Sequence, residues 1–260
     1  MPRHGFVLIA GVVAGLGCVG VGHASPDVGA WLAAGDSALA KFDLRAATAA
    51  YEQAYRAAPG SYEAAWKLAR AAVDSATNST ERVSQKRLCL RADTLSRAAV
   101  ALNPAGAKGH VYRAIALGKL ALFEGGKQKV RLSHAIKAEA DTALRLDPKE
   151  DLAHHVVGVW NREIVELPGL LRFFANAFYG SVPEASLDSA LFHLRRAETL
   201  RPDVVPHRVE AGITLAAARR YPEAAAELRA ALDLPTGWVT DGFYRAKARK
   251  ALADVRRHLD

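Results

Sequence analysis

The chain has 260 residues, 50% of them hydrophobic, and a formal charge of +8 from 35 basic and 27 acidic residues. That is enough apolar material for a substantial core, and two cysteines exclude a disulfide framework. The basic residues are spread along the chain with no RNA- or DNA-binding motif among them, so the charge reads as a solvated surface and no nucleic-acid partner is expected.

Residues 1–24 differ from the rest. Arg3 precedes the apolar run Phe6–Val21, and Gly22-His23-Ala24 ends in small residues suited to cleavage before Ser25. The segment reads as a cleaved export signal, and its length also admits an uncleaved anchor. Leu16-Gly17-Cys18 partly matches a bacterial lipoprotein box, the leucine lying one position too close to the cysteine. Each reading places residues 25–260 outside the cytoplasm, in a bacterial periplasm, either soluble or attached to the envelope. Membrane contact is then expected only through an uncleaved or lipidated N-terminus. After cleavage Cys89 is the one cysteine left, and its place in the apolar-periodic stretch Leu88–Leu95 assigns it to the core.

From residue 25 onward the chain repeats. Pro59, Pro104, Pro148 and Pro202 are each followed ten residues later by Ala69, Ala114, Gly158 and Gly212. Before each proline a register of core positions recurs: Ala47, Tyr51 and Ala54, then Ala92, Ser96 and Ala99, then Ile136, Ala140 and Ala143, then Ala190, Leu194 and Ala197. A fifth copy, Ala224, Leu228 and Ala231, reaches Pro235 one residue early. Proline cannot continue a helix, so each closes the second helix of a pair, and the small residue of each first helix admits a close neighbour. The expectation is an all-α solenoid of about five helix pairs with inserts between the helices of pairs 2, 3 and 4, and a last helix at about Phe243–Leu259. The first copy, with Trp31, Ala34-Gly35, Ala47, Tyr51, Ala54 and Pro59, resembles the tetratricopeptide repeat in length and residue order.

Residues from about 107 to 235 carry a second likeness. Ser133-His134, Asp147-Pro148, His154, Gly158-Val159-Trp160, Leu167-Pro168, Tyr179-Gly180, Pro183, Ala185-Ser186, Ala190, Ala197-Glu198 and Pro202 follow one another in a distinctive order. This segment resembles the repeat domain of the regulator of microtubule dynamics family, including its bacterial relatives. The resemblance implies a helical repeat domain without known catalytic residues, and the microtubule association of the eukaryotic members is not carried over to an exported chain.

The residues offer no enzyme. Neighbouring His154 and His155 point about 100° apart on a helix, which favours packing over metal ligation. Ser133-His134 lacks a nucleophile elbow, and Gly125-Gly126-Lys127 lacks the remaining glycines and the Ser/Thr of a phosphate loop. No catalytic residue, metal or cofactor is expected. Asn78-Ser79-Thr80 fits a glycosylation acceptor and reads as a polar loop.

In stacked pairs of this kind the first helices line the concave side. The positions three before and one after each small residue share a face: Leu32/Asp36, Trp66/Arg70, Val111/Ile115, His155/Val159 and Val209/Ile213. The row is largely apolar and lacks the Lys and Asn of a carboxylate clamp. With Arg162 as a nearby positive point, it yields Trp66, Arg70, Ile115, His155 and Arg162 as expected contacts for a protein or peptide partner. An apolar groove must be filled, either by the chain itself, through its last helix or the insert Leu167–Tyr179, or by a ligand. The leading expectation is a non-enzymatic interaction scaffold. The alternative is a carrier of lipid or another apolar ligand using the groove and the insert residues Leu171, Phe174 and Phe178.

Overall fold

The computed structural model describes residues 27–167 and 184–259. Among them are eleven helices: α1 (Val28–Ala40), α2 (Leu44–Ala57), α3 (Tyr62–Asn78), α4 (Arg82–Leu102), α5 (Ala107–Ala121), α6 (Gly126–Leu146), α7 (Asp151–Val165), α8 (Leu187–Leu200), α9 (Val205–Ala217), α10 (Tyr221–Asp233) and α11 (Asp241–Arg256). They form five antiparallel pairs in sequence order, with α11 packed on α9 and α10. The signal-segment expectation for residues 1–24 and the insert residues Leu171, Phe174 and Phe178 lie outside the described residues.

Proline sets the period. Helices α2, α4, α6, α8 and α10 end at Ala57, Leu102, Leu146, Leu200 and Asp233, each two residues before a proline. The residue between is driven out of the helical region by the proline ring. Ala58, Asn103, Asp147 and Arg201 have φ between −139° and −144° and ψ between 81° and 97°. The next helix starts three residues after each of the first four prolines, so the turn between pairs has one length. Asp43, Ser61 and Ser186 cap their helices by accepting a bond from the third backbone N–H that follows.

The recurring small residues lie at the closest approach within each pair. A Cβ on Gly35 would sit 2.3 Å from the Tyr51 ring, one on Gly158 2.5 Å from Leu194, and one on Gly212 2.7 Å from Leu228. Where the first helix carries alanine instead, Ala69 and Ala114, the matching position of the second helix carries Ser96 and Ala140, all fully buried. Side-chain volume is thus traded across each pair, glycine against a large residue and alanine against a small one.

The extra length of pairs 2 and 3 is helix. Helices α4 and α6 have 21 residues where α2 and α8 have 14, and the linkers are the short turns 79–81 and 122–125. Residues 166–186 separate the helices of pair 4. Cys89 is buried in the core, as its surroundings in the sequence require.

Candidate functional site

The concave row is divided by the chain's own C-terminal segment. The linker between α10 and α11 crosses back to pair 2. There the Trp238 ring lies under the Arg70 guanidinium at 4.7 Å, and the Asn78 amide donates to the Val239 carbonyl at 2.9 Å. Val239 joins the apolar cluster against which Trp66 packs, and Trp66 stacks on Tyr112 at 5.8 Å. Charges in this half face one another, most loosely at Arg70 and Asp74. Lys67 bonds Asp36 at 2.6 Å and Glu63 at 2.9 Å, Tyr51 donates to Asp36 at 2.7 Å, and Arg70 faces Asp74 at 3.6 Å. Burial pushes the Asp74 carboxyl up to about 6, against the opposing pull of Arg70.

Beyond pair 2 the row opens into a cavity of about 710 Å³ between α5, α6, α7, α9 and α11. Its wall is mainly apolar, from Ile115, Ile136, Val156, Val159, Trp160 and Ile164. Ile115, His155 and Arg162 therefore meet in one cavity, whereas Trp66 and Arg70 lie in the half closed by Trp238 and Val239. Trp160 is held by its indole N–H, which donates to Ser133 at 2.9 Å (Oγ) and 3.0 Å (carbonyl).

Arg162 is not the accessible positive point that its sequence position suggests. It is buried and pairs with Glu210 at 2.7 Å, and Lys247 reaches the other Glu210 oxygen from α11. Burial alone would raise the Glu210 carboxyl; Arg162 and Lys247 overcome it and hold the group at about 2. This buried triad ties α7, α9 and α11 together and forms one end of the cavity.

A second buried chain ends at the cavity wall. The Asp151 carboxylate lies 2.9 Å from His207 Nε2, and His207 Nδ1 lies 3.0 Å from His155 Nδ1. With the carboxylate accepting, His207 is protonated on Nε2, so His155 donates from Nδ1 and keeps Nε2 as an acceptor. Burial, with His207 adding to it, pushes His155 down to about 3, so the ring is neutral at pH 7. Among the described residues no cluster of three or more His, Cys, Asp or Glu is arranged to hold a metal.

Lys119 is the residue that the sequence reading missed. It lines the cavity from α5, and its ammonium forms no hydrogen bond or ion pair among the described residues. Of its acidic neighbours, Asp74 faces Arg70 at 3.6 Å without a hydrogen bond at that carboxylate oxygen, and Glu210 is held by Arg162 and Lys247. Burial holds the Lys119 ammonium below the ordinary lysine range. The sequence did carry a signal. One helical turn beyond Ile115, the concave row continues through Asp74, Lys119 and Glu163, five residues after each small residue of pairs 2, 3 and 4.

With this geometry in view, similarity to known proteins can be placed. Residues 31–256 match the family model described as regulator of microtubule dynamics protein 1-3. Regulator of microtubule dynamics protein 1 from Bos taurus is 30% identical over 136 residues, which is 52% of this chain and 43% of that protein. Regulator of microtubule dynamics protein 2 from Homo sapiens is 28% identical over 134 residues, 52% of this chain and 33% of that protein. The alignments therefore take in less than half the length of these relatives. A thermophilic TPR protein from Thermus thermophilus superposes with a TM-score of 0.62 at 20% identity, covering 87% of this chain and 99% of that one, a likeness of fold. The helical-repeat architecture is of the kind that serves as a protein-interaction scaffold.

Proposed function

Since the chain belongs to the regulator of microtubule dynamics protein 1-3 family, we propose that it is a non-enzymatic helical-repeat binding protein whose working site is the cavity between α5, α6, α7, α9 and α11. Its ligand is an apolar chain ending in a negatively charged group. The supporting observation is Lys119, an ammonium on an apolar wall whose acidic neighbours face other cations. Lys119 is half-buried, so its ammonium is incompletely hydrated on this wall, and an incoming anion supplies the partner it lacks. The cavity volume of about 710 Å³ falls in the range of roughly 300–1,000 Å³ usual for small-molecule sites. Ile115, Val159 and Trp160 supply the apolar wall. On the strength of the Phe6–Val21 segment we place this activity outside the cytoplasm.

Calorimetric titration with dodecanoate and with dodecanol tests the reading. The carboxylate is expected to bind about tenfold tighter than the alcohol. Lys119→Met is expected to remove that preference while retaining dodecanol binding. Equal affinities in the native chain would end the proposal.

The fold supports a second reading, in which the cavity receives an apolar segment of a partner protein. Under it the freshly purified chain carries no stoichiometric small-molecule adduct in native mass spectrometry, and Ile115→Arg abolishes pulldown of the partner without unfolding the chain.

A further inference from the structure

The wall of the cavity reaches one edge of the solenoid at the α5–α6 turn. Leu122, Gly126, Lys127, Lys129 and Val130 line the cavity there. Across from them is the start of α4. The Arg82 guanidinium donates to the Leu122 carbonyl at 3.3 Å and lies over the Phe123 ring at 4.7 Å, and Lys86 pairs with Glu124 at 3.0 Å.

This edge combines two features that a soluble rim has no use for. Val83 and Leu122 are 76% and 65% exposed, two of the most exposed large apolar side chains among the described residues. Around them stand Arg82, Lys86, Arg87, Lys127, Lys129 and Arg131, against Glu81 and Glu124. Val83, Arg87 and Leu90 follow at helical spacing on α4, and Leu90 is 50% exposed, so apolar and basic groups share one strip. Exposed aliphatic side chains among cations suit an interface of acyl chains and anionic headgroups. A nucleic acid would pair with the cations and leave the exposed aliphatic side chains Val83, Leu90 and Leu122 without a partner.

We propose that this edge docks on an anionic lipid bilayer, with Val83 and Leu122 entering the headgroup region and Arg87 and Lys129 resting on lipid phosphates. The α5–α6 edge of the cavity wall then faces the membrane. The proposal rests on the cavity reading above for its purpose and not for its test, because docking is measured without any occupant.

The experiment is co-sedimentation of the full chain with phosphatidylcholine vesicles, with and without phosphatidylglycerol. The apolar segment near the N-terminus contributes to both vesicle types, so the ratio of anionic to neutral binding is the readout. A ratio of roughly ten or more is expected, falling to about one in Arg87→Glu/Lys129→Glu. Val83→Ser/Leu122→Ser is expected to lower sedimentation on anionic vesicles several-fold with the charge unchanged. Arg249→Glu/Lys250→Glu on α11 is expected to behave as the native chain. A ratio near one in the native chain, or rim variants that sediment as it does, would overturn the proposal. So would a rim that binds single-stranded oligonucleotide and ignores vesicles. Dodecanoate titration of the same variants separates the two ideas: docking fails alone if the rim changes nothing on vesicles while Lys119 still selects the carboxylate.

Discussion

The two halves of the concave face share one repeat register and have opposite fates. In pairs 1 and 2 the row is covered by Trp238 and Val239, and its charges close on one another through Asp36, Lys67, Arg70 and Asp74. In pairs 3 to 5 the same geometric row bounds a cavity, and Lys119 stands on its wall. Repetition of the backbone device therefore does not repeat the surface. The register fixes where a side chain sits, and the identity of the side chain decides whether the site is sealed or open. Helix α11 makes the division, because it brings the linker to one half and contributes Tyr244 and Lys247 to the other.

The division depends most on the Glu210 triad. Glu210→Gln leaves Arg162 with the more exposed Glu163 and Glu166 and leaves the half-buried Lys247 without its carboxylate, and is expected to cost about 2–3 kcal/mol. Urea unfolding at pH 7 would measure this, and hydrogen exchange would show α11 losing protection before α1–α4. Glu210 titrates at about 2 in the folded chain against an ordinary 4.5. Its contribution is thus complete above pH 4.5 and lost as pH falls toward 2. The difference between native chain and variant should shrink over that window.

Packing within pairs gives the next effect. Gly158→Ala drives a methyl to 2.5 Å from Leu194, and is expected to cost about 1–3 kcal/mol. Gly158→Ala combined with Leu194→Ala recreates the alanine pairing of Ala114 with Ala140, so the two changes should be less damaging together than their sum. Denaturant midpoints of the four proteins measure that coupling; strict additivity would contradict the volume trade.

Much of this was legible before the coordinates. The prolines and the three buried positions ahead of each define the helix ends, since a missing N–H and a fixed φ act locally and leave a trace in spacing. Ile115, His155 and Arg162 could be read from the same register. The closing of Trp66 and Arg70 could not, because Trp238 comes from more than 160 residues away and belongs to no repeat. Arg162 shows the same limit. Its position is periodic, and its partner Glu210 is set by how one pair rotates on the next. The spacing locates the extra length inside pairs 2 and 3 without showing that it is helix at α4 and α6, because added helical turns and an added loop lengthen a sequence alike.

Acid should distinguish the halves. His155 is held at about 3 against an ordinary 6.5, so its neutral form supports the cavity half fully above pH 6.5 and progressively less as pH falls toward 3. Asp74 is raised to about 6 from 3.8, so the sealed half gains as pH falls from 6 toward 3.8. At pH 5 the opposed contributions are each on the order of 1–2 kcal/mol. Hydrogen exchange, corrected for intrinsic rates, should show α7 and α9 opening before α3 as pH is lowered from 7 to about 4.5. His155→Asn, which keeps a donor for His207, should narrow that difference.

The smallest change in stability carries the sharpest test of what seals the first half. Trp238→Ala removes the ring beneath Arg70, with an expected cost of about 1 kcal/mol. Arg70 keeps Asp74 at 3.6 Å, and Trp66 keeps its stack on Tyr112. The variant should therefore stay folded while the apolar row beside Trp66 becomes open to solvent. Binding of a fluorescent apolar dye should rise, and Lys119→Met should leave that gain untouched because it acts in the other half. If dye binding in Trp238→Ala matches the native chain, the linker is a passenger on a face closed by Trp66 and Tyr112 themselves. The contrast between halves would then originate within the repeats and owe nothing to the C-terminal segment.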